Sequence, residues 1–111
     1  MENPEDMKAL FIIVNTGFAE SVMEIAREVG VLGATIFSAR GISRRREIVM
    51  GIPVEADKEM VLAVTGKETS EKAMAAIKEK AGIKTPAHSV CFTMPVDKIV
   101  GINISSPPSA G

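Results

Sequence analysis

Tyrosine is absent from the sequence, and cysteine and histidine occur once each, as Cys91 and His88. A single cysteine excludes a disulfide framework within the chain and suits a reducing compartment. One cysteine and one histidine also fall short of a closed structural zinc site in one subunit, and no metal site is expected. Neither sign of charge dominates: 13 Lys and Arg stand against 14 Asp and Glu, for a net charge of −1. There is no broad basic field for nucleic acid or an anionic membrane. The longest apolar runs, such as residues 9–14, are far too short to span a bilayer. The opening MENPEDMK is acidic and contains a proline, the wrong character for a signal peptide, so a cytoplasmic domain is expected. The motifs G-x-x-x-x-G-K-[ST], G-x-S-x-G and H-E-x-x-H do not occur, and the acidic residues are scattered over helix faces rather than paired. No catalytic residues are expected, and the chain does not read as an enzyme.

What is present is a core. The 111 residues are 46% hydrophobic, enough for one ordinary domain. We place that domain at residues 8–104, between an N-terminal tail (1–7) and a tail (105–111, SSPPSAG) that is disordered by composition. Residues 8–14 form a short apolar run that reads as a central strand ending at the turn cluster Asn15-Thr16-Gly17. From Phe18 the period becomes helical, with Val22, Ile25, Ala26 and Val29 on one side; Thr16 is the expected N-cap and Gly30 the stop. Residues 33–39 read as a second strand and residues 58–65 as a third. Residues 66–70 supply turn and capping residues before a second helix that turns Ala73, Met74, Ile77 and Ala81 inward and stops at Gly82. Residues 89–94 form the fourth strand, Pro95 interrupts, and residues 96–104 offer a further short extended piece. The order is βαββαβ, the ferredoxin-like arrangement: α+β, a four-stranded antiparallel sheet with both helices on one face.

Two helices cover one face of such a sheet, yet the third strand is apolar on both: Met60, Val61, Leu62, Ala63 and Val64 run without a break. Near-continuous apolar strands are buried on both faces. Covering a face of roughly several hundred Å2 is worth on the order of 10 kcal/mol before the costs of association. An oligomer packed through its sheets, with clefts at the seams, follows.

The connection at residues 40–57 is long for so small a domain, and loops of about 17 residues are usually functional. Arg40 at its base and Arg44, Arg45 and Arg46 within it are bidentate donors for carboxylate or phosphate. Its tip is apolar (Ile48, Val49, Met50, Ile52), which favours partner binding over mere solubility. Ile48 to Met50 reads as a short extension, and Pro53 argues against a central strand there. His88 lies in the loop 82–89, either as an exposed loop residue or as a ligand to phosphate. Cys91, inside the fourth strand, reads as a structural thiol.

At this point the chain resembles the PII signal-transduction family, in particular its short-loop PII-like members. The resemblance is carried by ALFIIV in the first strand, REVGVLGATIFSARG (residues 27–41), KEMVLAVT (58–65) and VCFTMPVDKIVGI (90–102), with Gly30, Gly33, Thr35 and Gly41 at the family's spacing. It implies a homotrimer with the sheets facing inward and adenine-nucleotide binding in three intersubunit clefts. Residues 40–57 would be the T-loop that meets a partner, such as a membrane transporter or a metabolic enzyme, and residues 82–89 the B-loop that approaches phosphate. Thr35, Arg40, Gly41 and Val64 match positions near the nucleotide, while Lys84, Thr85, His88 and Ser89 belong to the B-loop. Arg44, Arg45, Arg46, Ile48 and Met50 would form the partner-binding surface.

The departures bear on the ligand. Ala87 and Ser89 replace B-loop glycines, Val90 replaces a lysine, and Gly101 and Asn103 replace two arginines. Three phosphate cations are missing, to be replaced by Lys84, His88 or the loop arginines if phosphates bind at all. No cofactor is expected, and the ligand stays open among AMP, ADP, ATP, a cyclic dinucleotide and a small anion, with the losses counting against ATP. The absence of tyrosine excludes uridylylation of the loop. The alternatives from other classes are a divalent-metal-binding CutA-like trimer and a structural adaptor with no nucleotide.

Overall fold

The computed structural model describes residues 6–40, 47–49, 52–54 and 57–101. The elements run β1 (Met7–Asn15), α1 (Ala19–Glu28), β2 (Thr35–Arg40), β3 (Glu47–Val49), β4 (Ile52–Val54), β5 (Asp57–Gly66), α2 (Lys67–Ala81) and β6 (Val90–Pro95). Four strands form one sheet in the order β2-β5-β1-β6, with every neighbouring pair antiparallel. The expected ferredoxin-like arrangement is present. β3 and β4 form a separate two-stranded ribbon in which Ile48 pairs with Pro53. A proline is tolerated there because the strand needs no second partner. Gly41, Arg44, Arg45, Arg46 and Met50 lie outside the described residues, as do residues 1–5 and 102–111, while Met7, read as the end of the N-terminal tail, is buried and opens β1.

The core is the layer between the helices and the sheet. Leu10, Ile12 and Val14 of β1 and Val61 and Ala63 of β5 point into it, following the two-residue period of a strand. α1 contributes Ala19, Val22, Met23 and Ala26; α2 contributes Ser70, Ala73, Ile77 and Ala81. Lys80 of α2 pairs with Glu28 of α1 at 3.6 Å on the solvent side, where such a pair adds little.

Helix termini depart from the sequence reading. Thr16 does not cap α1, which begins at Ala19; Glu59 of β5 supplies the acceptor in its place. Glu68, Thr69 and Ser70 are not a turn but the first turn of α2, and the buried Ser70 hydroxyl donates to the Lys67 carbonyl at 2.7 Å. Gly30 stops α1 as expected, in the left-handed region at φ 115. Gly82 stops α2 for a different reason. Its φ is −74, but a Cβ there would lie 2.4 Å from the Lys78 carbonyl oxygen. After β6 the described residues form no further strand up to Gly101; Val96 N–H donates to the Met7 carbonyl.

Cross-strand register defines the opposite face of the sheet. Its rows are Met94–Ala9–Val64, then Phe92–Phe11–Leu62–Thr35, then Val90–Ile13–Met60–Phe37. Phe11 and Phe92 stack with centroids 4.9 Å apart. Phe37, Val90, Phe92 and Met94 remain 42–52% exposed. A contiguous apolar face of this kind on a folded chain marks an interaction surface.

Candidate functional site

The apolar face ends in a polar row. Asn15 pairs with Lys58, and Lys58 with Ala39, so β1, β5 and β2 each deliver a residue to the same end of the sheet. One position further on, Arg40 faces Asp57, the two residues from which the 40–57 loop leaves and returns. Ser38, Ala39, Arg40, Asp57 and Lys58 line an open depression at this loop base.

Asn15 ties the depression to the loop 82–89. Its side-chain oxygen accepts from Lys58 Nζ at 2.6 Å, and its Nδ2 donates to the Pro86 carbonyl at 2.9 Å. Its backbone N–H donates to the Ala87 carbonyl at 2.9 Å, and Thr16 N–H to the Asp57 carbonyl at 3.4 Å. Both functional faces of one amide are therefore used, one on Lys58 at the start of β5 and one on the 82–89 loop. The arrangement fixes the B-loop-like segment against the base of the T-loop-like segment.

Within the loop, Thr85 is half-buried and its hydroxyl donates to the Gly82 carbonyl at 2.7 Å. His88 is exposed, adopts φ 49, and sets its Nδ1 3.0 Å from the Ile83 carbonyl oxygen. Lys84 is exposed. Ser89 is buried, and its hydroxyl has no hydrogen-bond partner among the described residues. Cys91, on the helix side of β6, is half-buried, and burial pushes its thiol up from the ordinary value. The thiolate is disfavoured, as suits a packing residue rather than a nucleophile.

The structure thus gathers Arg40, Lys84, Thr85, His88 and Ser89 near one end of the sheet and leaves Thr35 and Val64 elsewhere. Thr35 pairs with Leu62, and Val64 with Ala9, on the open face. Thr35 is five positions from Arg40 along β2, about 17 Å at about 3.4 Å per residue. Asn15, Asp57 and Lys58 escaped the sequence reading. The available signal was the polar pair that breaks an otherwise apolar strand face at one register position. Among the described residues no group of His, Cys, Asp and Glu is placed to hold a metal ion, and no helix is long and apolar enough to cross a membrane.

Comparison with known proteins places this geometry. The family model described as Nitrogen regulatory protein P-II matches residues 7–105. No curated protein matches the sequence. Among solved structures, a PII-like signalling protein of Thermus thermophilus superposes with TM-score 0.63 at 17% identity, over 81% of this chain and 86% of that one. GlnK of B. subtilis superposes with TM-score 0.64 at 13% identity, over 82% and 85%. A second B. subtilis GlnK structure, a complex with ATP, gives TM-score 0.62 at 12% identity, over 82% and 84%. At these identities the superpositions speak for the fold, and the family model covers nearly the whole domain. The chain belongs to the nitrogen regulatory protein P-II family.

Proposed function

We propose that this chain is a cytoplasmic regulator, not a catalyst, that assembles as a homotrimer through its open sheet faces. It binds an adenine-type nucleotide or a small anion at the seams between copies. Ligand state would be passed through the 40–57 loop to a partner protein, such as a membrane transporter or a metabolic enzyme.

The observation that carries this reading is the division of the site. Arg40, Lys58 and the 82–89 loop stand at one end of the sheet, while Thr35 and Val64 lie on the apolar face about 17–20 Å along the strands. One copy cannot bring both groups to a small ligand. Pressing apolar faces together sets one copy's face beside another's loop base. The structural relative that is a GlnK complex with ATP supports an adenine-type occupant. A ligand works in such a device only through its preference for one arrangement of the loop. Arg40 and the Arg44–Arg46 run would supply that preference through charge-assisted bonds.

Native mass measurement combined with thermal shifts against ATP, ADP, AMP, cyclic di-AMP, bicarbonate and 2-oxoglutarate tests the reading. A trimer stabilised by at least one adenine compound is the expected result. A monomer with no response to any of them would dismiss it. Replacing Arg44, Arg45 and Arg46 by alanine is expected to weaken ligand or partner binding, and unchanged binding of both would remove the loop from the mechanism.

A further inference from the structure

The ribbon within the 40–57 loop is open to pairing along one edge and closed along the other, an inference that rests on reading that loop as the partner-binding element. β3 and β4 stand apart from the four-stranded sheet and pair Glu47 with Val54, Ile48 with Pro53 and Val49 with Ile52. Opposed residues of an antiparallel pair alternate between two kinds. One kind exchanges both N–H···O bonds, and the other points those groups away from the partner strand. Pro53 has no N–H to give, so its pair with Ile48 is of the second kind. The two-residue connection from Val49 to Ile52 agrees, since a hydrogen-bonded pair closes such a hairpin. Ile48 therefore sends its N–H and C=O to the outer edge of β3. At the matching point on β4 the outer edge has a carbonyl and no donor, and a proline on an edge blocks strand pairing.

A two-stranded hairpin is marginal in water by itself, and a third strand stabilises it. All six ribbon residues except Glu47 are apolar. Ile48 and Pro53 fall on one face and Val49 and Ile52 on the other, so a strand added to β3 meets apolar neighbours on both. Arg44, Arg45 and Arg46 directly precede β3 in the sequence. An antiparallel strand with carboxylates opposite them complements charge as well as hydrogen bonding. A second copy of this chain does not supply that. Paired antiparallel about Ile48, it would set Met50, Gly51 and Ile52 opposite the arginines.

We propose that β3 binds its partner protein by strand addition. An extended segment, apolar and then acidic along its sequence, pairs with the Ile48 edge, while Pro53 keeps the β4 edge closed. NMR titration of the full chain with a capped peptide of alternating Val and Thr that ends in three Glu tests this. Amide shifts centred on Ile48, with slower hydrogen exchange there, are the expected result. Ile48→Pro removes the outward N–H at a pair that already accepts Pro53, and is expected to weaken the peptide at least about fivefold. Ile48→Val keeps that N–H and is expected to bind as wild type does. N-methylation of the Val and Thr amides deletes the ladder without altering the protein, and is expected to weaken binding at least about fivefold as well. Equal affinity of the methylated and plain peptides, with shifts still in the 40–57 loop, would overturn strand addition and leave the partner-loop reading standing. Shifts on β4 rather than β3 would overturn the choice of edge. Self-association of the chain through Ile48, displaced by the peptide, would overturn the choice of occupant. No response anywhere in residues 40–57 would overturn the inference, whereas the loop reading beneath it falls only if replacing Arg44, Arg45 and Arg46 leaves ligand and partner binding unchanged.

Discussion

The carboxylate of Glu59, on β5, accepts a hydrogen bond from the backbone N–H of Gly17 at 2.6 Å, and its contact with Ala19 N–H is 3.5 Å. A residue remote in sequence thus closes the N-terminus of α1, where no local side chain does. An anion at that position satisfies orphan donors and complements the helix dipole. Glu59→Ala is expected to destabilise the fold by about 1–2 kcal/mol, and Glu59→Gln by less, because the amide oxygen still accepts. Urea denaturation of both variants measures this. Equal stability of wild type and Glu59→Ala would refute the capping role.

Asn15 joins the start of β5 to the 82–89 loop through one amide. Asn15→Asp keeps an acceptor for Lys58 but loses the donor to the Pro86 carbonyl, whereas Asn15→Ala loses both. Each bond is worth about 1 kcal/mol. Hydrogen exchange at residues 85–89 is expected to accelerate in both variants. Proximity of Lys58 to the depression is expected to be retained only with aspartate.

The helix-stopping glycines are required for different reasons. Gly30 needs its positive φ, so Gly30→Ala should cost about 1 kcal/mol through backbone conformation. Gly82 has an ordinary φ but no room, since the obstructing atom is backbone oxygen of Lys78. Gly82→Ala is expected to cost about 2 kcal/mol or more, by displacing the end of α2 and the loop it feeds. A smaller loss at Gly82 than at Gly30 in thermal unfolding would contradict this ordering.

Phe92 stacks on Phe11 in the middle of the apolar face and is 42% exposed in the single chain. Phe92→Asp places a charge where the proposed subunit contact forms, and burying an unpaired carboxylate is costly. Sedimentation is expected to show a shift from trimer to monomer with the helical signal retained. A variant that stays trimeric would place the contact elsewhere.

Burial raises the Cys91 thiol. Because the folded pKa lies above the unfolded one, the resulting stability is fully present below the unfolded value and is lost as pH rises through the folded one. Cys91 is therefore expected to react slowly with iodoacetamide at pH 8 and faster as pH climbs beyond the ordinary thiol range. Cys91→Ala should flatten that alkaline loss of stability.

Helical periodicity located both helices, and short apolar runs bounded by turn residues located all four strands of the sheet, because these patterns are local properties of the chain. The unbroken apolar run Met60–Val64 likewise announced a sheet that is apolar on both faces. Arg40 and His88 were singled out from their loops, Lys84, Thr85 and Ser89 came with the B-loop resemblance, and Thr35 and Val64, grouped with them, lie at another level of the strands. Asn15 and Lys58 were not, since each is an ordinary polar residue until the antiparallel register sets them side by side.

The sequence by itself determined the βαββαβ order and the amphipathic faces, which follow from spacing and residue type along one chain, and it carried the stretches on which the resemblance to the family rests. Only the tertiary structure decided that Glu59 rather than Thr16 caps α1, that Asn15 bridges Lys58 and the 82–89 loop, and that the Thr85, His88 and Ser89 amides bond within the protein. These are hydrogen bonds whose partners are chosen by three-dimensional packing, and much of that choice is made between residues tens of positions apart, where no local pattern records it.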